Sequence, residues 1–245
     1  MKIVSKFIKN IFRIMAIQLL LAISFSSCEK TDTPIAVPTS NIMVVNALAT
    51  ATSTPVHFYL DTQRITMTGL AYANTPNYVV VSPNYSAATF KNSSTMATIT
   101  TAPVQLTAKN SYSMFLYGTA AAPLTLFTQD DLTAPPPGKA RIRIVNLAQS
   151  VGSNVDFAVR NDYQTTPTSN VILTNTAYGS SSSFVVVDSC TNYGIQVFAT
   201  GTSTVKVSSS KITILPNLNY TILVRGILGG TPAIAIQAPI NSTVF

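Results

Sequence analysis

The sequence predicts an all-β protein built from two tandem copies of one antiparallel β-sandwich. Hydrophobic residues make up 47% of its 245 residues and charged residues 9%, a composition that supports a packed core and argues against intrinsic disorder. Apolar side chains alternate with a period of two, as at Val56, Phe58 and Leu60, and turns rich in Pro, Asn, Gly and Ser separate the short strands. The same pattern returns about 100 residues later, which indicates a duplication.

The first 27 residues have the pattern of a cleavable export signal. Four basic side chains precede a short apolar stretch of residues 14–25: Lys2, Lys6, Lys9 and Arg13. The stretch is shorter than the roughly 20 apolar residues that a spanning helix needs. Phe25-Ser-Ser-Cys28 resembles the lipobox of bacterial lipoproteins, with Phe25 in place of the usual Leu, as in Bacteroidota-like sequences. This resemblance implies cleavage before Cys28 and a lipid on its sulfur that anchors the protein in a membrane; the alternative is an ordinary signal peptide with a chance cysteine.

Removal of residues 1–27 changes the charge balance. Eleven basic and 8 acidic residues remain, so the net charge falls from +7 to +3. The remaining cations are scattered apart from a mild cluster at Lys139, Arg141 and Arg143, and this pattern predicts no nucleic-acid partner. Once Cys28 is acylated, Cys190 is the single remaining cysteine, so no intrachain disulfide is predicted.

Matching segments recur in the same order in both halves of the chain. The matched pairs are Asn41–Asn46 with Arg141–Asn146, Val56–Leu60 with Val155–Val159, Tyr78–Val81 with Phe184–Val187, and Tyr112 with Tyr220. Collinear matches of this kind indicate two copies of one domain. The predicted boundaries are a tether at 28–40, a first sandwich at 41–129, a Pro-rich joint at 130–139 and a second sandwich at 140–245.

A recurring tyrosine narrows the fold. Leu106 precedes Tyr112 by six residues, and Ile214 precedes Tyr220 by the same spacing. This resembles the tyrosine corner of immunoglobulin-like and fibronectin-type Greek keys, in which the hydroxyl ties down a chain crossing at the start of a late strand. We therefore predict two immunoglobulin-like β-sandwiches of seven to nine strands each, following a lipoprotein signal peptide.

The segments that carry the repeat also resemble a known family. Ile142–Asn146, Asn154–Val159 and the strand from Tyr220 to Gly226 are similar to the family called domain of unknown function 4397. The first copy departs from the family pattern by having His57 where the family usually has Asp. The resemblance implies a β-sandwich and a cell-envelope location, and it implies no activity.

The sequence predicts no enzyme, no cofactor and no metal. Catalysis needs convergent titratable groups, whereas the mature chain has one histidine and eight acids, of which four lie in the tether and the joint. Asp156 and Asp162 could approach each other, but no other feature supports a hydrolytic pair. A calcium site at Asp130-Asp131 would supply two of the 6 to 8 ligands that calcium takes, and we expect these residues to solvate the joint instead.

Ligand-binding candidates are aromatic residues that do not recur between the copies. These are Tyr59, Tyr117 and Tyr163, with His57 beside them; we expect Tyr59, Tyr117 and His57 at outward strand positions, where the alternative is a scattered surface role. The predicted function is a non-catalytic, lipid-anchored cell-envelope protein that serves as a structural, adhesive or protein-binding module. The alternative is a glycan-binding accessory lipoprotein. We expect an outer-membrane location, and the sequence leaves open which face it occupies and whether Asp188-Ser189-Cys190, which resembles an O-glycosylation motif, carries a glycan.

Overall fold

The structure is a computed structural model that describes residues 37–50, 54–74, 77–151, 154–161 and 168–241, without the side chains of residues 161, 210 and 211. Over these ranges the chain forms strands and turns with no helix, which confirms the predicted all-β class. Accordingly, no helix in the described ranges is long and apolar enough to cross a membrane. The described residues from Pro38 onward form one compact unit. The predicted signal peptide, Cys28 and most of the tether lie outside the described residues.

The first repeat is a sandwich of two four-stranded sheets. One sheet has the order β4-β1-β7-β8 and the other the order β3-β2-β5-β6. The strands are β1 (Ser40–Asn46), β2 (Val56–Leu60), β3 (Gln63–Arg64), β4 (Val79–Val81), β5 (Ala87–Asn92), β6 (Thr98–Pro103), β7 (Ser111–Gly118) and β8 (Pro123–Asp130).

The second repeat has the same two-sheet plan with longer strands, and its ten strands over the described residues exceed the seven to nine predicted. One sheet has the order β11-β10-β14-β15; in the other, of order β12-β9-β16-β17, β13 also pairs with β9 and β18 with β16. The strands are β9 (Lys139–Gln149), β10 (Asn154–Asn161), β11 (Ser169–Ala177), β12 (Ser180–Ser181), β13 (Val185–Asp188), β14 (Cys190–Ala199), β15 (Val205–Ile214), β16 (Asn219–Ile227), β17 (Ala235–Gln237) and β18 (Ile240–Asn241).

Each repeat has its own hydrophobic core between its two sheets. The period-two alternation points Val56, Phe58 and Leu60 of β2 inward, where Phe58 contacts Phe90 with ring centroids 5.1 Å apart. The second core is built in the same way, around Phe157 and Val197. Burial of each such side chain contributes about 1.5–3 kcal/mol, which stabilises the packing of the two sheets against each other.

The strand pairing departs from the fully antiparallel arrangement predicted from the sequence. β1 runs parallel to β7, and β9 runs parallel to β16 in the equivalent register, with Ile42 beside Tyr112 and Ile142 beside Tyr220. The other pairs between the strands are antiparallel. Parallel neighbours need a long crossover rather than a hairpin, and the crossover here contains the whole second sheet of the repeat. The alternation of apolar and polar residues within a strand does not show whether the neighbouring strand runs parallel or antiparallel to it.

The predicted tyrosine corners are confirmed in both repeats. The backbone N–H of Thr107 donates to the Tyr112 hydroxyl at 2.9 Å, and the N–H of Leu215 donates to the Tyr220 hydroxyl at 2.9 Å. In each case the hydroxyl holds the chain that crosses into the strand carrying the tyrosine. The ring of Tyr112 also stacks on Phe127, with centroids 5.1 Å apart.

Candidate functional site

The outward faces of the two parallel strand pairs pack against each other. Val45, Ala47 and Phe115 of the first repeat form one cluster with the equivalent Val145, Leu147 and Leu223 of the second, and none of the six is more than 2% exposed. A third hydrophobic core therefore lies between the repeats, and the same face of each repeat builds it.

Contacts at the edge of this core occur in equivalent pairs. The ring of Tyr117 packs edge-on against Tyr178 at 5.4 Å, and the Arg225 guanidinium lies 4.8 Å from the Tyr72 ring centroid. Tyr178 is the counterpart of Tyr72, and Arg225 is the counterpart of Tyr117. The same contact is therefore made once in each direction, as in the isologous interface of a two-fold symmetric dimer.

We call this contact between the two repeats the junction. Arg143 on β9 lies buried at one end of it and contacts both repeats. Its Nη1 lies 2.6 Å from Oδ1 of Asp130, the last residue of β8, and the two side chains are 2% and 0% exposed. Nη2 donates to Ser113 Oγ at 2.8 Å, and Nε donates to Thr221 Oγ1 at 2.8 Å. Nη1 also donates to Thr128 Oγ1 at 3.1 Å. Both ends of the guanidinium are satisfied, which is the condition for a tolerable buried charge.

The carboxylate of Asp130 is held from the other side by hydroxyl groups. Ser113 Oγ donates to Oδ2 at 2.6 Å, and the Tyr78 hydroxyl donates to the same oxygen. Asn241, the counterpart of Asp130 in the second repeat, donates to the Tyr78 hydroxyl at 3.0 Å. Burial and the neighbouring Asp130 charge raise the pKa of Tyr78, so this hydroxyl stays protonated and remains a donor. Asp130 is thus a buried structural residue; the expectation that it solvates the joint is wrong, because the second repeat covers it.

A second ion pair lies at the rim of the junction. Arg141 Nη2 lies 2.5 Å from Oδ2 of Asp131, and its Nη1 donates to the Thr133 carbonyl at 2.8 Å. The hydrogen bond from Arg141 lowers the pKa of Asp131, which remains largely exposed. The Phe184 ring lies 5.2 Å from the Arg141 guanidinium and 5.1 Å from that of Arg143.

Two polar clefts open beside this rim. One, of about 320 Å³, lies between Thr128 and Gln129 of the first repeat and Arg141 with the serine segment 181–183 of the second. The other, of about 590 Å³, lies between the end of β8 with the following residues 131–133 and the segment of Lys109 and Asn110 before β7. Both are lined by Gln129 and Asp131, so they adjoin. We call the two clefts together the junction trough.

Of the residues predicted to bind a ligand, His57 and Tyr59 share one face of β2, whereas Tyr117 lies on β7 in the other sheet. Tyr117 is 7% exposed, because the face that is outward in its own sandwich is covered by the second repeat. Tyr117 therefore lies at the outward strand position expected, but it is buried rather than exposed to solvent. Tyr59 is partly exposed on β2, with the Lys91 ammonium 4.9 Å from its ring centroid. Tyr163 and Cys28 lie outside the described residues.

His57 also differs from the exposed surface residue expected. It is 8% exposed on the central strand β2, and its Nδ1 has no hydrogen-bond partner within the described part of the chain. The sequence counterpart of His57, Asp156, accepts hydrogen bonds from the backbone N–H of Asn175 at 2.8 Å and of Gly201 at 2.9 Å. Burial opposes ionisation of Asp156, but these hydrogen bonds outweigh it and lower its pKa. Among the described residues, no group of three or more His, Cys, Asp or Glu side chains could hold a metal ion.

Sequence reasoning did not identify Arg143, Asp130 and Tyr78 as a cluster, although one signal was present. Arg143 interrupts the apolar run of Ile142 to Val145 at the position where the first repeat has Met43. A charge that replaces a buried apolar residue in one copy of a repeat indicates a partner specific to that copy.

Comparison with known proteins finds a family-model match over part of the chain and no curated relative. Residues 40–158 match the family model described as Domain of unknown function (DUF4397), which confirms the resemblance over that segment. No curated protein matches the chain.

Two solved structures align weakly. One is CBMbc, a family 26 carbohydrate-binding module of Amy13K from Eubacterium rectale, in complex with maltoheptaose; it is 10% identical over 84% of this chain and 97% of that chain, with a TM-score of 0.26. The other is a leucine-rich repeat protein from Bacteroides thetaiotaomicron, 9% identical over 78% of this chain and 26% of that chain, with a TM-score of 0.22. Similarity this low supports no conclusion about function.

Proposed function

We propose that this chain, whose residues 40–158 carry a domain of the DUF4397 family, is a non-catalytic, lipid-anchored module of the cell envelope. Its two sandwiches act as one rigid body that binds or spaces a partner. The observation that carries the rigid two-repeat module is the junction, an apolar core closed by the buried Arg143–Asp130 pair, and the lipid anchor is inferred from Phe25-Ser-Ser-Cys28.

The junction supports rigidity because it is unlike an ordinary contact between tandem domains. Such contacts are usually polar, and relative domain motion is the default expectation. Here equivalent apolar faces are fully desolvated, and Arg143 bonds to Ser113 and Asp130 across the boundary. A surface that extends across both repeats is therefore preorganised, which reduces the entropy lost when a partner binds.

The carboxylates support a non-catalytic role because the described ones are engaged in structural contacts. Asp130 and Asp131 pair with arginines, Asp188 pairs with Lys139, and Asp156 accepts backbone hydrogen bonds. A general acid needs a raised pKa near the working pH, whereas the pKa values of Asp131 and Asp156 are lowered.

The lipid anchor is tested by the partitioning of the protein between detergent and water. With an alkyne-labelled palmitate supplied to the producing cells, we expect the wild-type protein to carry label and to enter the detergent phase of Triton X-114. Cys28→Ser should lose the label and stay in the aqueous phase, and Cys190→Ser is the matched control that should behave as wild type. An unlabelled, aqueous wild-type protein would contradict the anchor.

Two further measurements test the side of the outer membrane on which the protein lies and the rigidity of the two-repeat unit. External protease on intact cells, with a lysed control, shows whether the protein is at the surface or faces the periplasm; removal from intact cells favours adhesion, and survival until lysis favours scaffolding. Backbone ¹⁵N relaxation should give one rotational correlation time for both repeats. Two distinct times would show independent domains and would refute the rigid body.

A further inference from the structure

We propose that the junction trough binds a neutral, hydroxyl-rich polymer, that is, a chain of uncharged sugars. This inference rests on the proposed binding function and names the ligand class and the site. It replaces Tyr59, Tyr117 and His57 with one surface, of which the smaller cleft is built by residues of both repeats.

The shape of the trough favours a chain over a small compact ligand. Its clefts of about 320 and 590 Å³ are each comparable to the pockets that hold small molecules, about 300–1,000 Å³. Gln129 and Asp131 line both clefts, so the two clefts are neighbours at the end of β8 and a ligand that contacts these two side chains touches both clefts. An extended polymer can occupy both at once.

The charges of the trough favour an uncharged ligand. Arg141 is paired with Asp131, and Arg143 with Asp130, so the central charges cancel. An anion at the centre would meet the exposed Asp131 carboxylate, and a cation would meet the Arg141 guanidinium. Lys109, whose side chain is exposed, lines the larger cleft and not the smaller one, so it leaves the two ion pairs balanced.

The trough also has hydrogen-bonding groups that the fold does not use. The side chains of Gln129, Ser183 and Asn110 line it, and within the described residues none of them has a hydrogen-bond partner. Amides and hydroxyls both donate and accept, which matches the alternating donors and acceptors of sugar hydroxyls. The Arg141–Asp131 pair adds a fixed donor and a fixed acceptor between them.

The site is tested by affinity electrophoresis of the full-length chain through gels that contain soluble amylose, mannan, xylan or hydroxyethylcellulose. We expect at least one of these neutral polymers to retard the wild-type protein. Gln129→Ala/Ser183→Ala should bind that polymer about tenfold more weakly, because two hydrogen bonds to the sugar are lost. The matched control is Gln63→Ala/Ser208→Ala, which removes the same two side-chain types from exposed strand positions away from the trough and should bind as wild type.

Each result decides the proposal. A loss confined to the trough variant supports it, provided that far-UV circular dichroism shows both variants folded. Equal binding by the wild type and the trough variant overturns the site, and retardation by none of the four polymers overturns the ligand class. Retardation by polygalacturonate, a polyanion, with none by the neutral polymers also overturns the ligand class. The lipid and rigidity measurements have independent readouts, so this inference can fail while the proposed function stands.

Discussion

Replacing Arg143 by methionine removes the guanidinium that neutralises Asp130 inside the junction. Methionine is the natural choice because Met43 occupies the equivalent position in the first repeat. The substitution leaves a carboxylate whose side chain is 0% exposed facing the Ser113 and Tyr78 hydroxyls without a cation. The hydrogen bonds from Arg143 to Thr128 and Thr221 are lost at the same time.

The expected cost is large because a buried charge loses its partner. Breaking one side of a buried ion pair typically costs about 3–5 kcal/mol. Asp130→Asn alone should also destabilise, since it leaves the Arg143 charge buried. The double variant Arg143→Met/Asp130→Asn should recover at least half of the loss, because no buried charge remains and Asn241 already serves at the position equivalent to Asp130.

Urea unfolding measures the effect, followed by far-UV circular dichroism and by tyrosine fluorescence, since the chain has ten tyrosines and no tryptophan. Lys139→Met is the matched control: it breaks the exposed pair of Lys139 with Asp188 and should change the free energy of unfolding by less than about 1 kcal/mol. A cost below about 1 kcal/mol for Arg143→Met would refute the reasoning. So would strictly additive single-variant costs in the double variant.

Three further predictions concern local contacts. Tyr220→Phe removes the hydroxyl that accepts from Leu215 and should cost about 1 kcal/mol in urea unfolding, with unchanged far-UV circular dichroism; no measurable cost would contradict the tyrosine corner. Gly179→Ala should destabilise the protein more than Gly201→Ala in thermal unfolding. Both glycines have φ near +70°, but a Cβ at Gly179 would lie 2.3 Å from the Tyr117 hydroxyl, whereas one at Gly201 would have no atom within 4 Å. Equal costs would show that Tyr117 moves to accommodate the added methyl group. Asp156 has a lowered pKa when folded, so its stabilisation is present above its unfolded value of about 4 and is lost as pH falls through the folded pKa; Asp156→Asn should flatten the pH dependence of the unfolding free energy below about pH 4, and an unchanged slope would contradict this.

The parts of the fold that are encoded locally could be predicted from the sequence. Alternation at Val56, Phe58 and Leu60 identified inward-facing residues, and the equal spacing before Tyr112 and Tyr220 identified both tyrosine corners. These features depend on neighbours in the chain or on a contact five residues away. They therefore leave a pattern that can be read without knowing the partner sheet.

The junction could not be predicted because alternation distinguishes only two faces of a strand. Tyr117 points away from the core of its own sandwich, and nothing in its local pattern shows that a second sandwich covers that side. The parallel register of β1 with β7 is equally non-local. Arg143 is the one residue of the junction whose burial the sequence indicated, because it aligns with the apolar Met43 of the first repeat. Its proximity to Lys139 and Arg141 in the sequence made it look like one member of a surface cluster instead.

The two repeats differ at two equivalent positions of the junction, and these differences affect which repeats pair favourably. The first repeat has Met43 where the second has Arg143, and it has Asp130 where the second has Asn241. The apolar faces are equivalent, so they alone would permit the first repeat of one chain to pack on the first repeat of another. That pairing would bury Asp130 against Met43 with no cation. Pairing two second repeats would bury Arg143 against Asn241 with no carboxylate. Each alternative leaves a buried charge uncompensated, at a cost of several kcal/mol, whereas the pairing of a first repeat with a second repeat compensates both charges. The buried ion pair thus favours pairing of a first repeat with a second repeat over pairing of two like repeats, and the apolar core supplies the stability.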